Sequence, residues 1–434
     1  MGVHLNVFAH LVRNTVKSQG MPSARQVFVP TPLMNTPPAV LRQYVEGDDP
    51  VHSRPFMAEV FDQLTRPVPT DELRGESWDR STPRYVEASS EAEMHSLFQE
   101  RRYTDFLPIV LPTEERVEQM LAGTSHARDE MVGKLRPTIG MEHWHFDVEK
   151  VAVNAVMAGA APEHFPVVLA LASSGDTGRQ SSMSSMGNMV LVNGPIRHEI
   201  GMNSGIGAMG PYNYANSVIG RAFGLLSQNL QGGSVPGVTY AGSQGCNFSY
   251  NCITFAENEE ASPWEPYHLQ HGYDRDESTV TVSYIWGSVW AEYLRTYWEE
   301  KLQAMICGLE PGMGCTLVLD PIVAREFVEK GFDTKDKLAL WIHENARIPQ
   351  RRYWDHVMLN LIHEEVESGV EPFASYWNAP PDELIPVFEP DRVNIVVAGG
   401  ETNGHFSIFM GSPMRAKFRT NKGQKAAVSI DAWR

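Results

Sequence analysis

Three apolar runs constrain this chain most: Met189-Val-Leu-Val192, Cys315-Thr-Leu-Val-Leu319 and Val393-Asn-Ile-Val-Val-Ala398. Each is strand-length, rich in β-branched residues, and followed at once by glycine or proline in a polar turn. Helical patterns separate them. One is expected from about Asn213 to Leu230, after a glycine-rich connection, and another opens with Asp320 as cap and Pro321 at the first helical position. Strands alternating with helices predict an α/β protein with mixed or parallel sheets flanked by helices.

At 434 residues the chain exceeds one ordinary core. The segment 26–30, QVFVP, reads as a strand, with helices from Pro37-Pro38 through Val45 and from Pro55 to Leu64, and the first sixteen residues carry a helical apolar pattern. These define a small N-terminal α/β piece, 1–65, expected to dock on a partner because it offers little core and an unpaired sheet edge. The polar stretch 66–105 reads as a linker. A main α/β domain, 106–434, follows, divisible into 106–300 and 301–434; Thr113 and Asp147 are its first expected helix caps. Ser278–Ile285 alternates like a strand, and Trp290–Met305 has a helical pattern.

Acidic residues outnumber basic ones 53 to 36, giving a formal charge of −17, which argues against nucleic acid or anionic lipid as a partner. No run of about 18 apolar residues exists to span a membrane. A soluble cytoplasmic protein is expected. The four cysteines, Cys246, Cys252, Cys307 and Cys315, form no C-x-x-C pair. Free thiols follow, with Cys252 the candidate for a functional one.

The segment TFAENEEASPWEPYHLQHG, 254–272, places Glu257, Glu259, Glu260 and Glu265 with His268 and His271 directly after an apolar run. Ligands of open α/β sheets gather beyond the carboxyl ends of strands, so Glu257, Glu259 and Glu260 are candidate catalytic carboxylates and Asn258 a substrate contact. A solvated acidic loop explains the composition equally well. His143-Trp-His145 sends both imidazoles to one side if extended, and with Glu149 could hold zinc, iron or manganese; partly buried structural histidines are the bland alternative. Lys150 and Asn154, four apart on an apolar helix, are candidates for catalysis and substrate binding respectively. Asn203 in the glycine-rich connection and His405 at the end of GGETNGH, 399–405, are further candidate substrate contacts. Neither glycine-rich segment has dinucleotide or Walker spacing, and no nucleotide cofactor is expected.

Several segments together resemble the large, two-domain members of the UGSC-like (seleno)protein family. They are VFVPTPLMNTPPAVLRQYVEGDDPVHSRPFMAEVFDQLTRP at 27–67, LPTEERVEQML at 111–121, VEKVAVNAVMAGAAPEHFPVV at 148–168, LVNGPIRHEIGMNSGIGAMGP at 191–211, AENEEASPWEP at 256–266 and VVAGGETNGH at 396–405. The resemblance implies thiol or selenol redox chemistry. This chain, however, has no Cys-Gly-Ser-Cys and no cysteine before Cys246, so a reactive thiol would have to come from a small cysteine-bearing partner chain. The visible residues imply instead a metal-assisted or acid/base lyase or hydrolase acting on a small molecule, as a homo-oligomer or with such a partner. A non-catalytic scaffold is the third reading, and it predicts that the AENEE and GGETNGH segments lie apart.

Overall fold

The computed structural model describes residues 1–434 except 19, 34–35, 69–82, 136–143, 180–184, 232–234, 238, 356–365 and 412–426. At the N-terminus, strand β1 (Gly2–Leu5), helix α1 (Ala9–Ser18) and strand β2 (Gln26–Val29) form a parallel β-α-β unit, followed by α2 (Pro38–Glu46) and α3 (Phe56–Thr65). Val27, Val29 and Phe56 make its small core with Leu5 and Val60. The opening helical pattern holds over Ala9–Ser18, whereas pairing with β2 makes residues 2–5 a strand. The stretch expected as a linker also carries a helix, α4 (Glu91–Glu100), capped by Ser90, and its Phe98 joins the core of the main domain.

The main domain continues with α5 (Glu114–Leu121), strands β3 (Met131–Leu135) and β4 (Trp144–Asp147), α6 (Val148–Ala158) and α7 (Phe165–Ser173). Thr113 caps α5 and Asp147 caps α6, as their side chains suggest. Next come β5 (Gly187–Asn193), α8 (Ile196–Glu199), α9 (Tyr214–Gln231), β6 (Thr254–Ala256), α10 (Tyr267–Gln270), β7 (Thr279–Ile285) and β8 (Gly287–Glu292). The last part contains α11 (Trp298–Cys307), β9 (Cys315–Leu319), α12 (Pro321–Glu329), α13 (Lys335–Asn345), β10 (Arg347–Pro349), β11 (Leu384–Pro386), β12 (Val393–Val397), β13 (His405–Met410) and β14 (Ala427–Ser429). The helix expected from Trp290 is corrected: residues 287–292 are strand β8, and the helix begins at Trp298.

Two four-stranded sheets dominate, in the orders β14-β7-β5-β6 and β12-β9-β13-β8. Alternating side chains assign their faces. Val190, Val192, Val280 and Val282 point outward to a core with α6, α7 and α9. Leu317, Leu319, Ile395, Phe406 and Ile408 point outward to α11, α12 and α13. Met189, Leu191, Phe255 and Ile285 meet Val318, Val396 and Phe409 between the sheets. The layers are therefore helix, sheet, sheet, helix.

The two sheets share one topology. In each, two parallel strands joined through helices (β5 and β6; β9 and β12) are followed by an antiparallel strand (β7; β13). The fourth strand is exchanged: β8 follows β7 yet pairs with β13, and β14 follows β13 yet pairs with β7. Each half completes its sheet with a strand from the other.

Candidate functional site

Loops at the carboxyl ends of β5, β6 and β12 converge. Asn258 donates its backbone N–H to Val397 O (2.7 Å) and its Nδ2 to Gly399 O (3.1 Å), while Gly399 N–H donates to Ser204 O (2.8 Å). The AENEE and GGETNGH segments are thus neighbours, and the glycine-rich connection leans on the latter.

Beneath them lies a buried polar network. Glu257, wholly buried, accepts from Asn193 Nδ2 (2.5 Å), from Tyr267 N–H (2.7 Å) and from Lys335 Nζ (3.1 Å), whose side chain is itself buried. Glu259 accepts from Gly194 N–H (2.8 Å) and Asn193 Nδ2 (3.1 Å), and pairs with Arg197 Nη2 (3.1 Å). Gly194 is demanded twice over: its φ is +87°, and a Cβ there would lie 2.2 Å from Glu277 O. Arg197, buried, also donates to Glu257 O and Gly194 O, which spends its guanidinium on the strand ends.

At the rim, Glu260 is 58% exposed and receives Arg197 Nη2 (3.0 Å) and His198 Nε2 (2.9 Å) on the same oxygen. Burial pushes its carboxyl up, but the hydrogen bonds from Arg197 and His198 prevail and hold it at about 2. His198 is 64% exposed. Below, His268 is fully buried with neither ring nitrogen hydrogen-bonded, its Nδ1 3.8 Å from Glu259 Oε1. The His271 ring packs against Tyr267 at 4.3 Å, tilted by 54°, and burial together with the Lys335 charge pushes its imidazole below the ordinary value.

The other expected residues that are described have partners of their own. Lys150 is exposed at the first turn of α6, paired with Asp147 (3.2 Å). Asn154 is buried between α6 and α9, donating to Lys150 O and accepting from Asn229, a packing role. Glu149 is taken by Arg84 (2.6 Å) and Arg128 (3.3 Å), and His145 is exposed on β4 opposite Lys134; His143 lies outside the described residues. None of the partners described for Glu149 is shared with Glu257 or Glu259. Cys252 is buried with its thiol donating to Gly178 O (3.4 Å), and burial pushes it up to about 12, which disfavours the thiolate that a nucleophile requires. Asn203 serves its own loop, bonding Asn213 and Ile206 O. His405 donates its backbone N–H to Asp320 Oδ2 (2.6 Å) and accepts from the Asp320 N–H (3.1 Å), and its ring faces Trp290 at 6.4 Å.

Beside Trp290 is a pocket of 110 Å³ bordered by Phe248, Asn216, Ser217, Asn251 and Ile253. Ile253 on its wall and the preceding Cys252 have φ of +20° and +54°, a rare backbone geometry for such residues.

Sequence reading missed Asn193, Arg197, His198 and Lys335. The Asn-Gly-Pro directly after an apolar strand was the available signal for the first three; Lys335 had none. Compared with protein-family models, curated proteins and solved structures, the chain matches none.

Proposed function

We propose that the chain is an acid/base enzyme of the lyase or hydrolase class, acting on a small molecule at the carboxyl ends of β5 and β6, with His198 as general base. One observation carries the reading: buried Arg197, Glu260 and exposed His198 form a chain in which a carboxylate fixed by a guanidinium lies 2.9 Å from the imidazole. Glu260, held at about 2, stays charged and orients the ring. His198 Nδ1, without a described partner, would take the proton, from carbon beside a carbonyl in a lyase or from an attacking water in a hydrolase. Lys335 and Arg197 offset Glu257 and Glu259 in part, and the chain's net charge of −17 favours a neutral or cationic substrate. The meeting of the AENEE and GGETNGH loops supports this reading over a scaffold. The thiol-redox alternative draws support only from the UGSC-like resemblance, since burial raises all four thiols.

The test is a turnover screen of neutral and cationic esters, amides and hydroxy compounds with the intact chain and His198→Ala. A loss of about 10²- to 10⁴-fold is expected, the range for a positioned acid/base group. Equal turnover by both proteins would refute the assignment.

A further inference from the structure

We propose that Asp49, His52 and Glu59, in the N-terminal unit and remote in sequence from the proposed acid/base site, bind one divalent cation of the zinc type. The turn between α2 and α3 presents the first two residues. Asp49, wholly buried, is fixed by backbone N–H donors: Phe28 on Oδ2 (2.7 Å), Val51 (2.7 Å) and His52 (3.0 Å) on Oδ1. Such outer hydrogen bonds are how ligating carboxylates are commonly held. Three residues on, the His52 ring sits edge-on to Phe28 at 5.5 Å, and Glu59, 3% exposed, projects from the first turn of α3.

His52 Nδ1 lies 3.2 Å from Asp49 Oδ2 and 3.1 Å from Glu59 Oε1, and one ligand atom from each residue falls within 4.8 Å of the others. Metal–ligand bonds of about 2.0 to 2.2 Å in a tetrahedron place neighbouring donors roughly 3.3 to 3.6 Å apart, close to these separations. A histidine hydrogen-bonded to a carboxylate could show the same distances. Here, however, His52 Nδ1 makes no hydrogen bond to either oxygen, so the ring nitrogen is aimed at neither, and Glu59 Oε2 is buried without a partner. Among the described residues the nearest cation is Arg54, half-exposed and 3.9 Å from Glu59. Two buried carboxylates this close repel unless positive charge lies between them. One imidazole nitrogen and two carboxylate oxygens suit zinc, iron(II) or manganese, and three protein ligands leave a fourth position for water or a further ligand. This is a different place from His143, His145 and Glu149.

Calorimetric titration of the chelator-stripped full chain with Zn²⁺ alone tests the proposal. One equivalent should bind, His52→Ala and Glu59→Gln should each weaken it by on the order of 100-fold or more, and His143→Ala/His145→Ala should leave it unchanged. Substoichiometric binding, equal affinity in the first two variants, or loss in the third would overturn it. If either single variant fails to fold, Co²⁺ titration of the unaltered chain decides: visible d–d absorption saturating at one equivalent supports the site, and its absence overturns it.

Discussion

Glu257 shows how little of a site a sequence need reveal. Its loop was recognisable because an acidic run directly after a buried strand is unusual, yet the group that balances it, Lys335, lies 78 positions away. Contacts at such separation leave no local pattern, which is why Lys335 escaped notice while Lys150, beside Glu149 and Asn154 on one helix, attracted it. Replacing Lys335 by Met strands a wholly buried carboxylate, and urea unfolding should show a loss of about 3 to 5 kcal/mol; a loss below about 1 would mean that Glu257 finds other compensation. Thiol chemistry offers a second check. Cys252 and Cys315 are fully buried with thiols pushed upward, so a thiol reagent at pH 8 should label at most Cys246 and Cys307 in the native protein, and all four after denaturation. Rapid native labelling of Cys252 would revive it as a functional residue. Asp105 links charge to pH: burial raises its carboxyl, but hydrogen bonds and charges from Arg221 and Arg179 prevail and hold it below the usual value. Its contribution is therefore complete above the ordinary aspartate range and lost as pH falls through the depressed value, so Asp105→Asn should flatten the acid limb of stability against pH.

Elements were legible where one pattern dominated. The strands β5, β9 and β12 and the caps Thr113, Asp147 and Asp320 follow from composition, because burial and orphan N–H groups are local demands. Strands β1 and β8 were misread because their partners, β2 and β13, decide them, and tertiary pairing overrides local periodicity. The contact of α9 with β6 depends on Gly220, where a Cβ would meet Asn251 O at 1.8 Å and Thr254 Oγ1 at 2.1 Å. Gly220→Ala should cost at least the roughly 1 to 3 kcal/mol of an overpacked core, read by thermal unfolding, despite alanine's better helix propensity. A stabilised variant would show that the helix can shift freely.

On the scale of the whole molecule, the α/β class was readable but the repeat was not, since two matching topologies can be built from dissimilar strands. Among the described residues no helix is long and apolar enough to cross a membrane. The exchanged strands β8 and β14 imply that neither half of the main domain is complete alone, because each sheet would lose an edge strand and expose its neighbour. Chains cut at residue 300 should fold only when both pieces are present together; cooperative unfolding of isolated 301–434 would contradict this. The exchange also holds the loops after β5, β6 and β12 at one end of the molecule, where Arg197, Glu260 and His198 line up. The most direct test of that alignment is the turnover of the intact chain against Glu260→Gln, whose partner His198 is retained. We predict a fall of at least about tenfold in kcat with unchanged thermal stability, given that acid/base positioning contributes 10²- to 10⁴-fold in full; undiminished kcat in Glu260→Gln would contradict the account.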